Sequence, residues 1–130
     1  MTASDRDQHI LTLNQEMLRS VAQGDWETYA RFCSADLSCF EAETEGLLAE
    51  GLDFHRFYFD LPASGEAPAP VQVTMARPHL RWLSDDAVVL SYTRLTQRLS
   101  NGEAITHRCC ETRIWQRRKE QWQQVHVHRS

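Results

Sequence analysis

With 130 residues, a net charge of −4 and 42% hydrophobic residues, the chain has room for one domain with a real core and too little for two, so a single domain over 1–130 is expected. The mild negative charge argues against general affinity for nucleic acid, and no apolar run approaches the roughly 20 residues needed to span a bilayer. The first residues contain no apolar export segment, which points to the cytoplasm.

Ser4 followed by Asp7 has the spacing of a capping box, and Ile10, Leu13 or Asn14, Met17, Leu18 and Val21 recur on one helical face. The spacing predicts a long amphipathic helix ended by Gly24. Asp25 then caps a short second helix whose stripe is Trp26, Tyr29, Ala30 and Cys33. Residues 37–43 alternate, with Leu37, Cys39 and Glu41 on one parity and Phe40 and Ala42 on the other, which predicts a short strand. A turn near Gly46 follows.

The stretch Glu50-Gly51-Leu52-Asp53-Phe54-His55-Arg56-Phe57-Tyr58-Phe59 crowds aromatic rings, a histidine and an arginine together. At helical spacing Phe54, Phe57, Tyr58 and Leu61 form one apolar stripe, and Leu52, His55 and Phe59 form a second on another face. A helix apolar on two sides is enclosed on two sides, by its own core and by a second layer, subunit or cavity. Arg56 is expected to pair with Asp53 or Asp60.

Residues 62–70, rich in proline and alanine, have no periodicity and predict a surface loop. Strand signals then dominate over 71–83, 87–99, 103–118 and 121–129, separated by Asp85-Asp86, Asn101-Gly102 and Lys119-Glu120. Short links make neighbouring strands antiparallel. The result is an α+β layout, with three N-terminal helices packed on a curved, mostly antiparallel sheet.

Strict alternation places an arginine on three strand faces that otherwise read as core. Arg94 shares its face with Val88, Leu90 and Tyr92, Arg113 with Ile105, Cys109 and Trp115, and Arg129 with Val125 and Val127. A guanidinium stays charged, so each needs an anionic partner: Glu41, Glu43 or Glu111 from within, or an anion from outside. Trp82 and Leu95 fall on the outward parity. His126 and His128 share a face with Gln124, but no third ligand accompanies them, so no metal site is expected. Cys33, Cys39, Cys109 and Cys110 lack Cys-x-x-Cys spacing and read as reduced thiols, one of the adjacent pair facing inward. No cofactor is expected.

The aromatic stretch resembles the Glu-Gly-Leu-Asp-Phe-His-Arg-Phe-Tyr-Phe signature of the association, or hub, domain of calcium/calmodulin-dependent protein kinase II. Matching blocks follow in the same order as in that family: Gly24-Asp25 to Tyr29, Tyr92-Thr93-Arg94-Leu95-Thr96-Gln97, Glu111-Thr112-Arg113-Ile114-Trp115, and the terminal Trp122 to Ser130. No kinase catalytic segment is present, so the resemblance is to a free-standing form of the domain. It implies a cone-shaped, nuclear-transport-factor-two-like fold, assembly with copies of itself into a ring, and an arginine-lined pocket that takes a small carboxylate. Carried over position by position, the ligand-binding residues would be His55, Arg94, Arg113 and Arg129.

The favoured reading is therefore a homo-oligomerising, non-catalytic module with a carboxylate pocket. The alternative is a small-molecule enzyme of the isomerase, cyclase or dehydratase type, which the same cone fold hosts. That alternative needs a cavity carboxylate near His55 that no arginine already holds. A third reading, a regulator mixing into rings of a related kinase, presupposes such a kinase beside it.

Overall fold

Helix α1 (Ala3–Gln23) buries Ile10, Asn14, Met17 and Leu18, the i, i+4, i+7, i+8 set that one helical face presents. The computed structural model describes residues 3–60 and 71–130, with side chains from residue 5 onward. The expected loop at 62–70 and Leu61 lie outside the described residues. Because α1 already includes Ala3, Ser4 sits inside the helix and not at its cap. Gly24 ends the helix at φ 67°, a left-handed conformation that lets the Asp25 N–H reach back to the Ser20 carbonyl at 2.8 Å.

Asp25 caps α2 (Trp26–Arg31), its carboxylate accepting from the Thr28 N–H at 3.2 Å and from the Thr28 hydroxyl at 2.6 Å. Strand β1 (Cys33–Phe40) begins and ends earlier than the alternation suggests. Glu41 and Thr44 close a single 3-10 turn (Ala42–Thr44) through reciprocal bonds, Thr44 N–H to the Glu41 carbonyl at 3.0 Å and Glu41 N–H to the Thr44 hydroxyl at 3.3 Å. A two-residue strand, β2 (Ala49–Glu50), leads into α3 (Asp53–Asp60).

The four long strands are β3 (Val71–Ser84), β4 (Ala87–Ser100), β5 (Glu103–Arg118) and β6 (Gln121–Arg129), each within a residue of its expected bounds. They join β1 and β2 in one six-stranded sheet of order β2-β1-β6-β5-β4-β3. Every pairing is antiparallel except β1 with β6, where the chain's first strand lies parallel to its last.

The core lies between α1, α2 and the inner sheet face. Leu37, Val88, Leu90, Trp115 and Val127 from the sheet are fully buried, as are Ile10 and Met17 facing them from α1. Trp115 satisfies its ring N–H on Asn14 Oδ1 at 3.0 Å, which explains a fully buried asparagine in an apolar helix face.

Two irregularities alter which side chains face inward. Arg77, at φ 52°, sits where the β3–β4 register shifts between Ala76 and His79. Beyond that bulge the parity of β3 inverts, so Trp82 faces the core side instead of the expected outer side. It is half-buried, with its ring N–H on Asp7 Oδ1 at 2.7 Å, its ring against Trp122 and the Arg6 guanidinium 4.2 Å from its centroid. On β6 the register with β5 skips Val125. Gln124, not Val125, therefore joins Val127 and Arg129 on the inner face, separated from His126 and His128. Among the described residues no helix is long and apolar enough to cross a membrane.

Candidate functional site

The inner face of the sheet carries a row of polar side chains set by register. Tyr92 lies opposite Glu111, and Glu111 opposite Arg129, with Arg113 opposite Leu90 and Val127. The Glu111 side chain is wholly buried and receives three oxygen or nitrogen donors, with the Cys109 thiol 4.0 Å from its Oε2 as a weaker fourth. Arg94 Nη1 approaches Oε2 at 2.9 Å, Arg113 Nε approaches Oε1 at 3.1 Å, and the Tyr92 hydroxyl donates to Oε1. Arg113 Nε also reaches the Tyr92 oxygen at 3.0 Å, and its Nη1 donates to Gln124 Oε1. Gln124 in turn approaches Cys33 Sγ at 2.8 Å.

The charges follow from this packing. Burial pushes the Glu111 carboxyl upward, but Arg113 and Arg94 outweigh it and hold it below the ordinary glutamate value. Burial pushes the Tyr92 hydroxyl up to about 12, so tyrosine remains the donor to the carboxylate.

A second group surrounds the end of β6. Arg129 Nη2 holds Glu43 at 2.7 and 2.9 Å and lies 3.7 Å from Glu41 Oε2. Helix α3 turns His55 and Phe59 inward against Tyr29 and Trp26, and Leu52 just before it packs on the core as well. The other stripe faces out, with Phe57 59% and Tyr58 43% exposed. His55 is 7% exposed, and its Nε2 stands 3.5 Å from Glu41 Oε1. Neither of its ring nitrogens has a hydrogen-bond partner. Arg56 pairs with Asp60 at 3.7 Å rather than with Asp53.

The two groups meet at a cavity of about 180 Å³ lined by Glu41, Glu43, His55, Arg94, Arg113 and Arg129. All four residues singled out in the sequence, His55, Arg94, Arg113 and Arg129, thus border one space. Three arginines there face Glu41, Glu43 and Glu111, so the guanidinium charges are matched within the chain. Arg113 is the most enclosed, whereas the Arg94 and Arg129 side chains are 16% and 24% exposed. The Arg94 Nε is buried and unpartnered.

Gln124 is the site residue that alternation missed, because the bulge at Val125 has no glycine or proline to announce it. His126 and His128 are on the outer face beside Phe40, and His126 Nδ1 meets the Ser38 hydroxyl at 2.7 Å. Cys110 is exposed and Cys109 half-buried, as the strand parity predicts. Arg117 and Arg118 are held by Asp86 and Asp36 at the strand ends.

Comparison with known proteins agrees with this architecture. The chain is 43% identical to the Chlamydamonas reinhardtii CamKII hub homology domain, with a TM-score of 0.91 covering 96% of this chain and 97% of that one. Against the association domain of Caenorhabditis elegans CaMKII the identity is 41% and the TM-score 0.90, covering 98% and 96%. The alpha chain of the Drosophila melanogaster calcium/calmodulin-dependent protein kinase type II is 38% identical over 129 residues, 98% of this chain and 24% of the kinase. The chain therefore spans about a quarter of that relative's length. An NTF2-like protein of unknown function from Pseudomonas putida shares the cone-shaped fold at 15% identity, with a TM-score of 0.75 covering 100% of this chain and 89% of that one. The model of the calcium/calmodulin dependent protein kinase II association domain matches residues 6–130, and the chain belongs to that family.

Proposed function

We propose that this chain is a self-associating module whose interior cavity holds a small carboxylate. The observation that carries the ligand reading is the buried, unpartnered Nε of Arg94 beside the half-open guanidinium of Arg129, in one cavity with His55. A buried donor without an acceptor costs about 1–3 kcal/mol, and a carboxylate supplies acceptors in the geometry that guanidinium forks match. Because the arginines already hold glutamates, the acid binds by sharing their free edges, which favours a compact ligand over a large one. The family's association-domain name and the outward aromatic stripe of α3 support assembly with further copies. Free thiols at Cys33, Cys39, Cys109 and Cys110 suit a reducing cytoplasm.

An enzyme of the same fold would use Glu41 as a base toward His55. Burial raises the Glu41 carboxyl, but His55, Arg129 and Arg113 outweigh it and hold it below the ordinary value, which makes it a weak base.

Native mass spectrometry of wild type and Arg94→Gln, with and without added small carboxylates, tests the proposal. Arg94 is preferable to Arg113, whose loss would leave Glu111 poorly paired in the core. The expected result is a large closed oligomer retaining an acid that the variant releases while staying assembled. A monomer or simple dimer overturns the assembly; a wild-type oligomer that retains no acid overturns the pocket.

A further inference from the structure

Alternation places Cys39 and Glu41 two residues apart on the inner side of the sheet, Glu41 still being extended at φ −140°, ψ 168°. Helix α3 lays His55 over them from the opposite side. The Cys39 sulfur, a Glu41 carboxylate oxygen and a His55 ring nitrogen all lie within 4.8 Å of one another. Cys39 is 1% exposed and His55 7%, and both His55 ring nitrogens lack a hydrogen-bond partner. A buried imidazole that meets Glu41 only at a long 3.5 Å through Nε2, with Nδ1 unpartnered, beside a buried thiol, leaves the three groups room for one shared partner.

We infer that Cys39, Glu41 and His55 form a binding site for a divalent transition metal of the zinc type. Thiolate and imidazole select zinc or cobalt over magnesium or calcium, which prefer oxygen ligands. Zinc bonds of about 2.0–2.3 Å place tetrahedral ligand atoms about 3.3–3.8 Å apart, so the three side chains draw in by about 1 Å to close on the ion. Three protein ligands leave a fourth position for water or an added oxygen ligand.

The charge balance is favourable. A thiolate and a carboxylate neutralise the dication, and the two guanidiniums that act on the cluster are held by other carboxylates, Arg129 by Glu43 at 2.7 Å against 3.7 Å to Glu41, and Arg113 by Glu111 at 3.1 Å. Binding the metal exchanges the Cys39 thiol proton for the ion and releases it to solvent, so the affinity rises with pH. The sequence gives no hint of this site. His55 is separated from Cys39 and Glu41 by an entire turn, strand and helix start, and the visible pair, His126 and His128, lies on the other face of the sheet.

Glu41 and His55 also line the cavity whereas Cys39 does not, so a readout through the Cys39 sulfur that uses no acid keeps a failure of this site distinct from a failure of the carboxylate reading. The test is titration of the chelator-treated, intact oligomer with Co²⁺, followed by absorption. The expected spectrum has a thiolate-to-cobalt charge-transfer band in the near ultraviolet and intense visible bands of a four-coordinate ion, saturating at one metal per chain and bleached by Zn²⁺. Cys39→Ala, a small buried replacement, and His55→Gln are expected to lose both bands with circular dichroism and oligomer mass unchanged. Absence of the charge-transfer band in wild type, or its persistence in Cys39→Ala, overturns the assignment.

Discussion

At the residue scale, Glu111 is the group whose loss is felt most widely. It is the common acceptor of Arg94, Arg113 and Tyr92, and its side chain is fully buried. Removing one member of a buried ion pair costs about 3–5 kcal/mol because the other charge stays behind uncompensated. Glu111→Gln is therefore expected to lower stability by about that amount in urea unfolding, and Tyr92→Phe by about 1–3 kcal/mol, since it removes only a neutral hydroxyl. The pH dependence has a definite sign. The folded carboxyl titrates below its ordinary 4.5, with Arg94, Arg113, Tyr92, Cys109 and Arg129 facing it. In that window the unfolded chain binds the extra proton. The contribution is thus complete above about pH 4.5 and lost as pH falls through the folded value. Urea midpoints measured from pH 6 downward should drop more steeply for wild type than for Glu111→Gln, and parallel curves would refute the role of this carboxylate.

At the scale of elements, what was legible in the sequence divides by how local the signal is. The β4–β5 hairpin is announced by Asn101-Gly102, and both residues do take positive φ, 52° and 80°. That is the turn whose twist suits antiparallel strands. A side chain in that left-handed region costs about 1–2 kcal/mol, so Gly102→Ala should shift the urea midpoint by a corresponding amount. An unchanged midpoint would mean that the turn relaxes freely. The α1 face, the Asp25 cap and the long strands were equally readable because each is specified within a few residues. The parallel pairing of β1 with β6 was not, since nothing in either strand names a partner some 90 positions away. Nor were the bulges at Arg77 and Val125, which carry ordinary residues where glycine would have signalled strain. Their consequence reaches the site: the inward arginines were correctly placed by alternation, whereas Gln124 and Trp82 were assigned to the wrong face.

At the scale of the whole molecule, four of the seven exposed large apolar side chains among the described residues come from one stretch of the chain. Leu47, Leu48, Phe57 and Tyr58, between 43% and 74% exposed, come from the short segment around β2 and α3, and the opposite stripe of α3 is sealed by Tyr29 and Trp26. Such clustering marks contact surfaces more often than chance. If copies pack through this face, stability must rise with protein concentration, because association stabilises only the folded chain. Phe57→Glu puts a charge where another subunit would exclude water, without touching the core. It should convert the assembly to smaller species by native mass spectrometry, leave the far-ultraviolet circular dichroism intact and abolish the concentration dependence of the urea midpoint. Should the variant keep the wild-type mass, α3 is not in the contact, and the exposed Leu83 and Leu99 at the far ends of β3 and β4 become the surface to vary next.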